Sequence, residues 1–201
     1  FKQIDIKNLF LKNKRSKIKS FSQAGQDKFV LKMLNNKKNG KYIEIGAFDP
    51  IKISNTYILE KEYNWSGFSL DIEQKFQKRF NKIRKNKCIL ADATKFNYEN
   101  EIRRLWGNIK RIDYLQLDVD PAEVTYESLC SLPLDKVRFS VITFETDYYR
   151  FGENIRKLSR EKFKQYGYQL VAADVMNDSQ PFEDWYVDPD HVDISIYKKY
   201  I

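Results

Sequence analysis

The run Lys41-Tyr42-Ile43-Glu44-Ile45-Gly46-Ala47-Phe48-Asp49 constrains this chain more than any other stretch. Residues of strand type lead into an acid and a glycine, and a segment with helical patterning follows. In an open α/β sheet that order puts a carboxylate and an unobstructed turn at the carboxyl edge of a strand, where such sheets bind small ligands. Glycine lets the main chain come close to a ligand, and the following helix adds its amino-terminal dipole.

Strand and helix patterns alternate along the rest of the chain. Ser22 is placed to cap a helix over 21–37, with Phe29, Val30, Met33 and Leu34 on one face. Strands are expected at 42–48, 67–72, 88–91, 112–119 and 139–145, and helices at 56–63, 75–84, 98–106, 122–132 and 154–166. Two last strands, 168–175 and 192–197, have only the segment 176–190 between them, which predicts a hairpin whose final strand runs antiparallel to the others. The expected fold class is α/β: a doubly wound, mostly parallel seven-stranded sheet with helices on both faces and the last strand antiparallel.

With 201 residues, 42% of them apolar, the chain suffices for one domain with a real core. We expect that domain over 21–201, after a basic arm over 1–20. The arm holds seven basic side chains and one acid, a net +6 of the chain's +8, so the body is nearly neutral. A basic arm can touch phosphates, but this one lacks the interleaved aromatics of a nucleic-acid strip, and a solvated extension is the simpler reading. Nucleic acid is therefore not the expected partner. No apolar run has membrane-spanning length and no secretory leader is visible in these residues. Cys88 and Cys130 have neither metal-ligand spacing nor a disulfide framework, which fits a reducing, cytoplasmic setting.

Acids recur at the expected strand ends: Glu44, Asp71, Asp92, Asp118 with Asp120, and Glu145 with Asp147. Parallel strands point their carboxyl ends one way, so these groups are expected to gather on one rim. Individually they could be helix caps or loop charges; at consecutive strand ends they favour a ligand site. What is missing narrows the ligand. There is no Gly-x-Gly-x-x-Gly and no Gly-Lys-Ser/Thr, and Gly46 is alone in its loop, so nothing here cradles a pyrophosphate. One glycine among acids suits a nucleoside with a cationic centre and an amino group, and S-adenosylmethionine is such a ligand. Glu44 or its loop would face the amine, and Asp71 the ribose.

Over residues 22–185 the chain resembles the FkbM-type methyltransferases, within the class I S-adenosylmethionine-dependent fold. The resemblance rests on Ser22-Gln23-Ala24-Gly25-Gln26-Asp27, Tyr42-Ile43-Glu44-Ile45-Gly46-Ala47, Ser54-Asn55-Thr56 with Leu59-Glu60, Trp65-Ser66-Gly67, Asp113 to Asp120, and Glu183-Asp184-Trp185-Tyr186. It implies a cofactor set of Glu44, Gly46, Ala47, Asn55, Asp71, Ile72, Asp92 and Ala93. Ile72 and Asp120-Pro121 stand where the family usually has proline and Glu-Gly. The activity implied is O-methylation of a hydroxyl on a sugar, glycan or other small molecule.

Such a transfer needs a positioned acceptor, a dry site and help in removing the hydroxyl proton. Candidate catalytic groups are Asp118, Asp120 and His191, the sole histidine, for which a surface-loop position is the competing reading. Glu145, Trp185 and Tyr186 are candidate substrate contacts, the aromatics by stacking on a sugar from a lid over 176–191, with plain core burial as the alternative. Asp118, Asp120 and Glu145 are also a candidate Mg2+ set through hard oxygen ligands, against the reading of solvated acids. Two other activities compete: an RNA ribose methyltransferase anchored by the arm, and a binding module that keeps the fold without catalysis.

Overall fold

The computed structural model describes residues 19–198 and residue 201. Most of the basic arm, residues 1–18, lies outside the described residues.

Helix α1 (Gln26–Met33) leads into β1 (Lys41–Ile45), α2 (Tyr57–Tyr63), β2 (Ser66–Asp71), α3 (Gln74–Ile83) and β3 (Lys87–Leu90). The second half runs α4 (Tyr98–Trp106), β4 (Arg111–Leu117), α5 (Ala122–Ser131), β5 (Arg138–Glu145), the short α6 (Tyr148–Phe151) and α7 (Glu153–Gln165). Strands β6 (Gln169–Asn177) and β7 (Gln180–Val187) and the short α8 (Ile194–Tyr197) complete it. The sheet order is β3-β2-β1-β4-β5-β7-β6. β7 is antiparallel to both its neighbours, and every other pair is parallel. The expected fold class is therefore observed, with seven strands and the seventh reversed.

Both faces of the sheet are covered, which is why its central strands read as near-continuous apolar runs. On one face Ile43, Phe68, Leu115, Phe139 and Phe144 pack with Ile102, Leu129 and Phe163 from α4, α5 and α7. On the other, Tyr42, Tyr114, Val141 and Trp185 meet Phe29, Ile58, Leu59 and Tyr197 from α1, α2 and α8. Alternate residues of one strand, such as Tyr42 and Ile43, thus serve opposite cores.

Three expectations need correction. The helix expected over 21–37 occupies only 26–33, because Gly25 takes a left-handed conformation (φ 92°) and starts it late. Ser22 instead accepts the Gly25 N–H at 3.1 Å in the preceding loop. The last strand is 180–187, not 192–197. Asp178 and Ser179 both adopt positive φ, so a two-residue turn folds β7 straight back on β6, with Asn177 opposite Gln180. Residues 194–197 are helical, capped by the Asp193 side chain accepting the Ser195 N–H at 2.8 Å. The lid expected over 176–191 is mostly this hairpin.

Candidate active site

Strand order reverses beside β1, since β2 and β4 flank it while the chain passes through β2 and β3 before reaching β4. That switch point opens a crevice at the carboxyl ends of the strands. A cleft of about 360 Å³ lies there, within the usual range for small-molecule sites. Its apolar wall is Leu70, Ile72, Ala91, Ala93, Val119 and Val124; Gly46, Asp92, Thr94, Lys95, Asp120 and Glu127 complete it. Of the eight expected cofactor residues, Gly46, Ile72, Asp92 and Ala93 line this cleft.

Gly46 makes the floor. With φ +88° and no side chain, it lets the β1 turn close on the end of β4, and its N–H and that of Ala47 both bond the Leu70 carbonyl at 3.0 Å. Ala47 is buried beneath the turn with Phe80 and Cys88. Asp71 braces the rim: Oδ2 accepts the Phe48 N–H at 2.9 Å and Oδ1 the Glu73 N–H at 2.7 Å. An ionised carboxylate has about four lone-pair sites, so two remain for a ligand's hydroxyls. The Thr94 hydroxyl, then Lys95 and the Thr94 N–H, pull the Asp92 carboxyl down to about 2.

Glu44 takes a different place from the one expected. It is buried on β1, with Thr56 Oγ1 donating at 2.9 Å and Ser69 Oγ at 2.6 Å, and it does not line the cleft. Burial raises its pKa, while Arg84, Ser69 and Thr56 pull it back. Arg84, at the end of α3, holds this region together: it donates to Glu60, the Pro50 carbonyl and Thr56, each at 3.0 Å, and to Ser54 and the Tyr42 hydroxyl at 3.3 Å. Strands with an inward acid at this position give no sequence sign of whether it faces ligand or core. Asn55, from the loop braced by Arg84, is buried with its Oδ1 unpartnered.

The other strand ends carry the expected acids. Asp118 and Glu145 are hydrogen-bonded to each other. Burial, then the charge and bond of Asp118, push Glu145 far above the usual carboxylate range; burial also raises Asp118, against its bond to Glu145. Both shifts run against two negative charges at this pair. Asp147 is raised to about 6, by burial first and then by Asp120 and Asp118, against Arg150. Glu183, which sequence reasoning left without a role, is buried on β7 and raised to about 8, mainly by burial.

Several candidates are placed elsewhere. Trp185 and Tyr186 are fully buried on β7 and cannot stack on a substrate. Trp185 packs on Phe29, ring centroids 4.6 Å apart, and its Nε1 donates to Glu183 at 2.5 Å; the Tyr186 hydroxyl bonds Asp184. Two aromatics inside a β7 that pairs on both sides are core, which is the alternative noted above. His191 is exposed near Arg111, Lys37, Asp113 and Asp188 at the amino edge of the sheet, and burial and Arg111 lower its pKa. The length of β4, about 20 Å at 3.3 Å per residue, separates it from Asp118, so it is no base for this cleft. Among the described residues no group of three or more His, Cys, Asp or Glu is arranged to hold a metal ion, so the Mg2+ set is not supported. Asp120 turns instead to Arg150, at 2.5 Å.

No family model matches the chain, and no curated protein does. Solved structures do. TrmK from M. capricolum, in complex with S-adenosyl-homocysteine, has a TM-score of 0.52 at 15% identity, covering 84% of this chain and 73% of that one. N-methyltransferase NodS from Bradyrhizobium japonicum WM9 has a TM-score of 0.52 at 11% identity, covering 82% and 94%. A protein from Clostridium thermocellum, provisionally named an rRNA-methylase, has a TM-score of 0.52 at 14% identity, covering 85% and 97%. At these identities the likeness establishes a shared fold.

Proposed function

We propose that this chain is an S-adenosylmethionine-dependent methyltransferase acting on a hydroxyl of a sugar, glycan or other small molecule, as the FkbM-type enzymes it resembles do. The observation that carries the reading is the cleft at the switch point. Apolar walls from Leu70, Ile72, Ala91, Ala93, Val119 and Val124 suit a flat base, and Asp71 keeps acceptor capacity for ribose hydroxyls. The unpartnered Asn55 Oδ1 is an acceptor suited to the methionine amine. The donor set therefore fits the cofactor, which when bound supplies an electrophilic methyl on a sulfonium. The chain's own residues position the acceptor and exclude water, while the Asp118–Glu145 pair receives the hydroxyl proton.

The test is calorimetric titration with S-adenosylmethionine and S-adenosylhomocysteine, with NAD as control. Micromolar binding of both sulfur compounds, weakened by Ile72→Glu in the cleft wall and by Asp71→Ala, supports the reading. Absence of binding at millimolar ligand sinks it.

A second reading, RNA ribose methylation, draws on α3, which carries Lys75, Lys78, Arg79 and Lys82 and whose Phe76 packs on the exposed Phe48, ring centroids 4.5 Å apart. RNA affinity that falls steeply with salt and drops on α3 charge reversal would favour it.

A further inference from the structure

The carboxyl ends of β4 and β5, with the amino half of the antiparallel β7 beside them, gather more acid than the cation there balances. Leu117 of β4 lies opposite Phe144 of β5, and Glu145 opposite Glu183 of β7. Asp118, Glu145 and Glu183 therefore form a row across three adjacent strands, with Asp120 and Asp147 on the loops just beyond β4 and β5. The donors to Glu183 are neutral: Gln26 Nε2 at 3.0 Å and Trp185 Nε1 at 2.5 Å. Arg150 Nη1 bridges Asp120 at 2.5 Å and Asp147 at 3.1 Å.

Asp147 supplies the independent sign that something is missing. It is 1% exposed, yet its Oδ1 has no hydrogen-bond partner, while its Oδ2 shares Arg150 with Asp120. Arg150 serves Asp120 Oδ1 and Asp147 Oδ2, so Asp147 Oδ1 is the buried acceptor still wanting a donor. A divalent metal does not fit, since no described group of three such ligands is arranged for one. An ammonium does: its three N–H donors reach separate oxygens at ordinary hydrogen-bond length. Arg150 already fills a cation position there, and with 43% of its side chain exposed it is free to yield to a ligand.

We infer that this row is the acceptor-recognition subsite and that the acceptor carries a protonated amine, as an amino sugar does, held by Asp147 and Asp120 while its hydroxyl faces Asp118 and Glu145. The inference rests on the methyltransferase reading and narrows it, since the same acids repel a phosphate-bearing acceptor.

The experiment uses the full chain. S-adenosylhomocysteine is titrated first, and the saturated protein is then titrated with glucosamine, glucose and glucose 6-phosphate. Glucosamine is expected to bind at least about tenfold tighter than glucose, with glucose 6-phosphate weakest. Asp147→Asn is expected to remove that preference while keeping S-adenosylhomocysteine affinity, and Arg150→Ala to strengthen glucosamine binding. Equal affinity for glucose and glucosamine, or no glucosamine binding, in protein that binds S-adenosylhomocysteine overturns the amine subsite and leaves the methyltransferase reading standing. Failure to bind S-adenosylhomocysteine overturns both.

Discussion

Gly46 and Asp118 meet backbone to backbone at the foot of the cleft: a Cβ on Gly46 would stand 1.7 Å from the Asp118 carbonyl oxygen. The Asp118 N–H, in turn, bonds the Ile45 carbonyl at 3.0 Å. Two strand ends are thus locked at a spacing no side chain permits. Gly46→Ala is expected to push β1 and β4 apart, to cost roughly 2–4 kcal/mol through overpacking and left-handed strain, and to weaken S-adenosylhomocysteine binding. Urea unfolding and calorimetry check this; an unchanged midpoint and affinity would contradict it.

Arg84 is buried against Glu60, with side chains 2% and 11% exposed. Arg84→Met strips Glu60 of its charge partner and frees the loop bearing Asn55, at an expected cost of about 3–5 kcal/mol. Adding Glu60→Gln is expected to recover part of that loss, because residue 60 then carries no uncompensated charge. Equal losses in the single and double variants would show that the ion pair is not the source.

The site acids set a pH dependence whose sign is unusual. Glu183 has its folded pKa raised from 4.5 to about 8, and Asp147 from 3.8 to about 6. The folded state therefore holds protons that the unfolded state has lost, so stability falls as pH rises from about 4.5 toward 8. His191, its pKa lowered, acts in the opposite sense below about 6.5 but is a single exposed group. We expect the urea midpoint to decline between pH 5 and pH 8 and Glu183→Gln to flatten the decline. A midpoint that climbs over this range would refute the assignment.

Trp185 is a structural residue. Trp185→Phe keeps much of the packing on Phe29 but leaves Glu183 without one of its two donors, an expected cost of about 1–3 kcal/mol. Trp185→Ala adds a cavity and is expected to cost about 3–5 kcal/mol. Thermal or urea denaturation reads both, and glucose or glucosamine is expected to leave the Trp185 fluorescence contribution unchanged.

The sheet was legible because burial on both faces writes long apolar runs between turn residues, and each run carries its acid at its end. The positions of Gly46 and Asp92 on the cleft followed from that rim, and those of Ile72 and Ala93 from the family resemblance. Glu44 was not legible: its partners Thr56, Ser69 and Arg84 are distant in sequence, so nothing local tells a ligand-facing acid from one satisfied within the core. The β6–β7 turn escaped notice because Asp178-Ser179 lacks the glycine that usually marks two positive φ values. With β7 overlooked, Trp185 and Tyr186 passed for loop aromatics, and Glu183 was given no role. His191 looked catalytic by residue type alone, and only topology places it at the wrong edge.

The insertion of β7 between β5 and β6 also bears on how the chain is built during synthesis. A nascent polypeptide extended through residue 177 can complete the parallel part of the sheet out to β5, yet β6 then has no strand to pair with. The unpaired flank of β5 stays open until residues 180–187 leave the ribosome. The hairpin must then enter as a unit, late and with long-range pairing, which is the slow kind of step. In the interval the exposed strand edge is a hazard for association with neighbouring chains, and shelter by a chaperone would matter most there.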